Sequence, residues 1–162
     1  MTTRVQAALL GVGSVIQAVN TQSGTFSSST TTIPLDNTIP QNTEGSEVLT
    51  ATITPIASTN RLRIDVVICA GASVANNIVV GLFRDSTANA VAAATEVADG
   101  AGSRRIITFT HFVTAGSTAA TTFRVRAGLA TAGTLNINGD GGGGSLFGGV
   151  MSSSITITEI AA

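Results

Sequence analysis

RLRIDVVICA, residues Arg61–Ala70, is the stretch whose reading decides the fold. Leu62, Ile64, Val66, Ile68 and Ala70 fall on one parity, and Arg61, Arg63 and Asp65 on the other. A two-residue period of this kind is what a strand with one buried face requires, so the segment predicts a central strand. On either side the same grammar recurs in short segments bounded by Gly, Pro, Asn and Ser, and no long 3.6-residue apolar pattern replaces it. An all-β sandwich follows.

Upstream, Ser14–Asn20 alternates Val15, Gln17 and Val19 against Ile16 and Ala18 and predicts a strand. Gly24–Ile33 is rich in hydroxyls and predicts a solvent-facing edge or a long loop. In Pro34–Gly45 two prolines remove ladder donors while Asp36, Asn37, Asn42 and Gly45 favour turns, so an ordered surface connection is expected. Ser46–Thr54 resumes alternation with Leu49, Ala51 and Ile53 inward, and the short turn after it predicts antiparallel pairing with the central strand.

Downstream, Asn77–Arg84 and Ala88–Ala94 flank a turn at Asp85–Asn89, and Ala90, Ala92 and Ala94 would admit a close second layer. Arg104–Thr114 carries bulk on both parities, with Phe109 and His111 on one and Phe112 on the other. Such a strand is expected between layers or at a subunit contact. Thr122–Gly128 places Phe123, Val125 and Ala127 inside and Arg124 and Arg126 outside. Thr134–Asn138, Leu146–Met151 and Ser153–Ile160 are the last segments, with a Gly-rich loop at Gly139–Gly144. About ten short strands match an antiparallel jelly-roll or Greek-key β-sandwich.

A chain of 162 residues suits one domain and buries roughly 70% of its unfolded surface. Only 10% of residues are charged, against about 25% in typical soluble domains. Thr, Ser and Asn make up part of that deficit, and surface hidden in an assembly would account for another part. The net charge of -1 gives no basic footprint for nucleic acid. No run of 18 apolar residues suggests a membrane span, and no signal peptide is evident, so a protein made in the cytoplasm is expected. The first dozen residues differ from the rest: Val5, Ala8, Leu9 and Val12 follow a helical spacing that Gly11 and Gly13 cut short. Residues 1–12 read either as a frayed terminus or as an attachment arm, and residues 13–162 as the sandwich.

Chemistry finds little support. His111 is the sole histidine and Cys69 the sole cysteine, so neither a disulfide nor a zinc-type pairing is available. His111 is expected to be packed and hydrogen-bonded, and Cys69 to be a small buried hydrophobe. Asp36, Glu44 and Glu47 are the only close carboxylates, and their spacing matches no calcium loop. Gly139–Gly144 lacks the ending of a phosphate loop and reads as a flexible hairpin tip. Arg61, Arg63, Arg124 and Arg126 would form a patch only if the fold gathered them. No catalytic residue, cofactor or metal is expected.

The succession GSVIQAVN (Gly13–Asn20), IPLDNTIPQNTEG (Ile33–Gly45), ITP (Ile53–Pro55), RLRIDVV (Arg61–Val67), LFRDSTANA (Leu82–Ala90), THFVTAG (Thr110–Gly116), TTFRVRAG (Thr121–Gly128), FGG (Phe147–Gly149) and SSITITEI (Ser153–Ile160) resembles a jelly-roll module of tailed-bacteriophage virion proteins. That resemblance implies a non-enzymatic homotrimer on a virion surface, with other virion proteins, above all the major capsid protein, as partners. Within it, a capsid decoration or cement protein stands beside a short tail fibre or receptor-binding tip, which would meet a host surface glycan. Only a dozen residues precede the module and no heptad or shaft repeat is present, which favours decoration. Outside it stands a carbohydrate-binding β-sandwich, disfavoured by the absence of Trp and Tyr. The expected interface residues are Val5, Leu9 and Val12 on the arm, and Phe109, His111 and Phe112 on the two-faced strand.

Overall fold

The computed structural model describes residues 11–162. Among the described residues ten strands, all paired antiparallel, form two sheets: β1 (Val15–Ser23), β2 (Ser27–Ser29), β3 (Ser46–Ile53), β4 (Arg61–Ala72), β5 (Asn76–Arg84), β6 (Ala92–Ala98), β7 (Ser103–Thr114), β8 (Thr121–Leu129), β9 (Leu135–Ile137) and β10 (Ser153–Ile160). The first sheet runs β1-β10-β4-β9-β2, with β7 on the other side of β4, and the second runs β3-β8-β5-β6.

The expected central strand is central. Along one side β4 pairs with β7 over its whole length, from Arg61 opposite Thr114 to Ala72 opposite Ser103. Its other side is shared: β10 takes Arg61–Val67, and β9 takes Ala70–Ala72. Leu62, Ile64, Val66 and Ile68 point inward and are buried, as the alternation requires. They meet Ile155 and Ile157 of β10, Leu49, Ala51 and Ile53 of β3, Ile78, Val80 and Leu82 of β5, and Phe123 and Val125 of β8 in one core. Each buried Ile, Leu or Val contributes about 1.5–3 kcal/mol relative to its exposed state.

Three local expectations differ from the structure. β3 does not pair with β4: it pairs with β8, and the turn after it carries the chain across to the other sheet. Both strands need an apolar partner face, and placing them in opposite layers turns their inward residues toward each other across the core. The strand after the Asp85–Asn89 turn begins at Ala92, because Ala90 donates its N–H to Pro40 O at 2.9 Å and the chain up to there is held by the Pro34–Gly45 connection. Leu146–Met151 forms no strand; it holds a 3-10 turn at Phe147–Gly149, with Phe147 and two glycines, Gly148 and Gly149, at positive φ.

The Gly139–Gly144 loop is anchored, contrary to the free hairpin tip expected of it. A Cβ on Gly141 would lie 1.9 Å from Ala72 O, and one on Gly71 would lie 2.5 Å from Gly141 N, so β4 and the loop touch backbone to backbone. We predict that Gly141→Ala lowers the denaturant midpoint by an amount worth about 1–3 kcal/mol, the range of backbone overpacking. Gly142→Ala meets only Asp140 Oδ1 at 3.5 Å and should leave the midpoint within about 0.5 kcal/mol. Equal midpoints for the two variants in urea unfolding would refute the close approach.

Candidate functional site

β7 is the strand expected between layers or at a subunit contact, and the fold makes it an edge: among the described residues its only strand partner is β4. Its two parities have different surroundings. Phe109, opposite Val66, and His111, opposite Ile64, face inward and are half-buried, with Phe109 against the core. Ile106 and Phe112 face outward, 65% and 45% exposed. The three residues expected at an interface therefore lie on two sides of the strand, and Phe112 is the one presented to solvent. The Arg61 guanidinium carbon sits 4.8 Å from the Phe112 ring centroid, a cation-π contact worth about 0.5–1 kcal/mol at an exposed site. Val12 is exposed, whereas Val5 and Leu9 lie outside the described residues.

An inward-facing charge stands at the same edge. The Arg105 Nε donates to Val97 O of β6 at 2.7 Å, and its Nη2 bonds the Asp99 carboxylate, so one side chain ties the edges of the two sheets together. Charges turned inward on an edge strand disfavour indiscriminate strand addition.

The rest of that outer sheet face mixes hydroxyls and amides with the charged side chains of Arg63 and Asp65. Thr110 Oγ1 donates to Asp65 Oδ1 at 2.6 Å, Arg63 pairs with the same carboxylate, and Asn20 Nδ2 donates to Thr156 Oγ1 at 2.8 Å. At its far end Ile106, Phe147 and Met151 surround a hollow beside Cys69. The Cys69 thiol is buried and donates to Ser152 O at 3.3 Å; burial pushes its pKa up, which favours the thiol over the reactive thiolate.

The four arginines considered for a patch are split between the layers. Arg61 and Arg63 lie on the outer face of one sheet, Arg124 and Arg126 on that of the other, with the core between them. Asp36, Glu44 and Glu47 also act separately. Asp36 accepts from the Thr38 backbone N–H, Glu44 from the Gln41 N–H, and Glu47 faces Arg124. The Thr38 hydroxyl and backbone N–H hold the Asp36 carboxyl below its ordinary range. Among the described residues no group of three His, Cys, Asp or Glu side chains is placed to hold a metal ion, and no helix is long and apolar enough to cross a membrane.

Sequence reasoning passed over Glu159. Its parity on β10 is that of Ile155 and Ile157, which was the available signal, and its side chain is fully buried. Four donors converge on it: Gln17 Nε2 at 2.6 Å, Asn60 Nδ2 at 2.6 Å, Ile56 N–H at 2.8 Å and Ala57 N–H at 3.3 Å. Asn60 Oδ1 in turn accepts the Ala162 N–H at 3.2 Å. The carboxylate thus fastens β1, the β3–β4 turn and the C-terminal strand at one end of the sandwich. Burial pushes its pKa up, but the bonds from Asn60, Gln17, Ile56 and Ala57 together outweigh burial and hold it below the ordinary range.

No family model matches the chain, and no curated protein matches it. Among solved structures it is similar to the EclA C-terminal domain, a sugar-binding protein, at 16% identity and a TM-score of 0.40, covering 85% of this chain and 84% of that one. It is also similar to a chain in the structure of infectious bursal disease virus Gx strain, at 15% identity and a TM-score of 0.38, covering 91% of this chain and 37% of that one.

Glu159→Gln keeps the shape but leaves one acceptor oxygen and turns an NH2 toward N–H donors. The expected loss is about 2–3 kcal/mol in denaturant unfolding. Because the folded state holds the carboxyl below its unfolded-chain value, the folded protein binds fewer protons there. The stabilisation is complete above the ordinary carboxylate range near ~4.3 and is lost as pH falls through the lowered value. Wild-type stability should therefore fall across that acidic window more steeply than the variant's. Parallel pH profiles would show that the cluster carries no such linkage.

Proposed function

We propose that this chain is a non-enzymatic building block of a tailed-bacteriophage particle: a jelly-roll module that forms a homotrimer through β7 and decorates the capsid surface. The observation that carries the reading is strand order. β1-β10-β4-β7 facing β3-β8-β5-β6 supports a reading as two Greek keys rolled into one sandwich. The short β2 and β9 extend the first sheet along the unoccupied part of β4.

Three features support a passive role in an assembly. Polar side chains of the outer sheet face bond one another, Thr110 to Asp65 and Asn20 to Thr156. The buried Glu159 is saturated by structural donors. The long edge strand β7 carries Ile106 and Phe112 outward, apolar surface that a neighbouring subunit would cover. In this reading residues 1–12 are the attachment arm, and the major capsid protein is the partner that receives it.

Light scattering on the purified protein should give three times the 16.2 kDa chain mass. Phe112→Glu, at an exposed position, should reduce that mass while leaving the circular dichroism spectrum unchanged. A monomeric parent protein, or an unaltered trimer in the variant, would remove β7 from the contact. Imaging of labelled particles should find the protein over the shell, and deletion of residues 1–12 should lower its occupancy there. Label confined to the tail would replace decoration by a fibre or receptor-binding tip.

A further inference from the structure

The outer face of the second sheet holds a polar hollow that the assembly reading leaves without a role. Two connections are zipped together over β5. Asn42 N–H donates to Ala88 O at 2.8 Å, Asn42 Nδ2 to Thr87 O at 3.1 Å, and Gln41 Nε2 to Asn89 Oδ1 at 3.0 Å. Beside this seam lies a hollow of about 290 Å3, lined by Asn42, Asp85, Ser86, Arg124 and Arg126 with Phe83 beneath. That volume is at the small end of ligand pockets, about 300–1,000 Å3, and matches one small polar molecule better than a peptide or a nucleic-acid strand.

Its walls are set before any ligand arrives. Asp85 adopts a positive φ of 53° and is pinned to β8 twice, its N–H donating to Thr122 O at 2.7 Å and its Oδ1 accepting the Thr122 N–H at 2.9 Å. Arg126 Nε donates to Glu44 O at 2.7 Å and its Nη2 to Gly45 O at 2.8 Å. Arg124 Nη1 donates to Asp85 O, and its Nε stands 3.6 Å from the Glu47 carboxylate. Carbonyl acceptors orient a guanidinium without cancelling its charge. Asp85 faces Arg84 and Glu47 faces Arg124, whereas Arg126 makes no ion pair among the described residues.

We infer that this hollow binds a small hydroxylated monocarboxylate, a uronic-acid-type sugar residue. Arg126 offers a carboxylate a fixed guanidinium not spent on an ion pair among the described residues, with Arg124 beside it in the same wall. The Asp85 carboxylate in the same wall disfavours a doubly charged phosphate. Ser86 Oγ and Asn42 Oδ1 are the groups available to a sugar hydroxyl. The site lies on the opposite sheet from β7, so it stands whether or not the trimer does.

The test is titration of the 15N-labelled full chain with sodium glucuronate, and with glucose, acetate and inorganic phosphate in parallel. Glucuronate should give saturable shifts at Asn42, Ser86 and Thr87 and at the Arg124 and Arg126 side-chain N–H groups. Arg124→Gln should weaken binding at least fivefold, and so should Ser86→Ala, which lies in an exposed turn and spares the fold; each variant's own spectrum reports its folding. Glucose, acetate and phosphate should each bind at least fivefold more weakly. Absence of saturable shifts, unchanged affinity in both variants, or equal binding of any of the three controls would overturn the inference.

Discussion

The structure depends on one constraint: β4 must satisfy the backbone groups of twelve residues on both sides while turning Leu62, Ile64, Val66 and Ile68 into the core. Neither side is served by a sequence neighbour. β7 covers one side, some thirty residues downstream, and the chain's last strand, β10, covers most of the other. The gap left beyond β10 is filled by β9, with Asn138 N–H donating to Cys69 O at 2.8 Å between the two partners. The C-terminal segment is therefore integral to the fold: Ile155 and Ile157 lie against the same core, and Glu159 locks the end where the chain passes between sheets.

Placing bulk apolar side chains between the sheets leaves the outer faces to short polar groups, which explains how the surface manages with so few charges. Threonines, serines and asparagines hydrogen-bond across strands, as Asn20 does with Thr156 and Thr52 with Thr122. The charges that remain are used locally. Arg105 bridges the two sheet edges, Arg63 and Thr110 share Asp65, and Arg126 holds the Glu44–Gly45 turn against β8. Exposed ion pairs of this kind contribute little to stability singly. Their effect here is positional, fixing loops over sheet faces, and the Asp85–Ser86 turn beside Arg124 is a product of that arrangement.

Much of the strand content was legible because alternation is a local signal. The inward residues of β3, β4 and β8 were read correctly from parity alone, and the outward placement of Arg124 and Arg126 followed from the same rule. Glu159 carried the same signal and was passed over, since a carboxylate on an apolar parity is informative only when its donors are known, and Gln17, Ile56 and Asn60 are distant in sequence. Leu146–Met151 misled because its apolar residues sit among glycines that take positive φ, which a strand does not accept. Gly139–Gly144 misled in the opposite sense: glycine there serves close approach to β4 rather than freedom.

By itself the sequence determined that the chain is built from short strands with a single apolar core, because a period of two in side-chain character has one geometric solution for a backbone that must bury one face. Only the tertiary structure decided which strands are neighbours. A short turn such as the one after β3 permits a hairpin and equally permits a crossing between layers. The choice rests on which arrangement closes both sides of β4 and apposes two apolar faces, and those partners lie far away along the chain. The same non-local choice put Arg61 and Arg63 on one face and Arg124 and Arg126 on the other, and so decided which side chains share a surface at all.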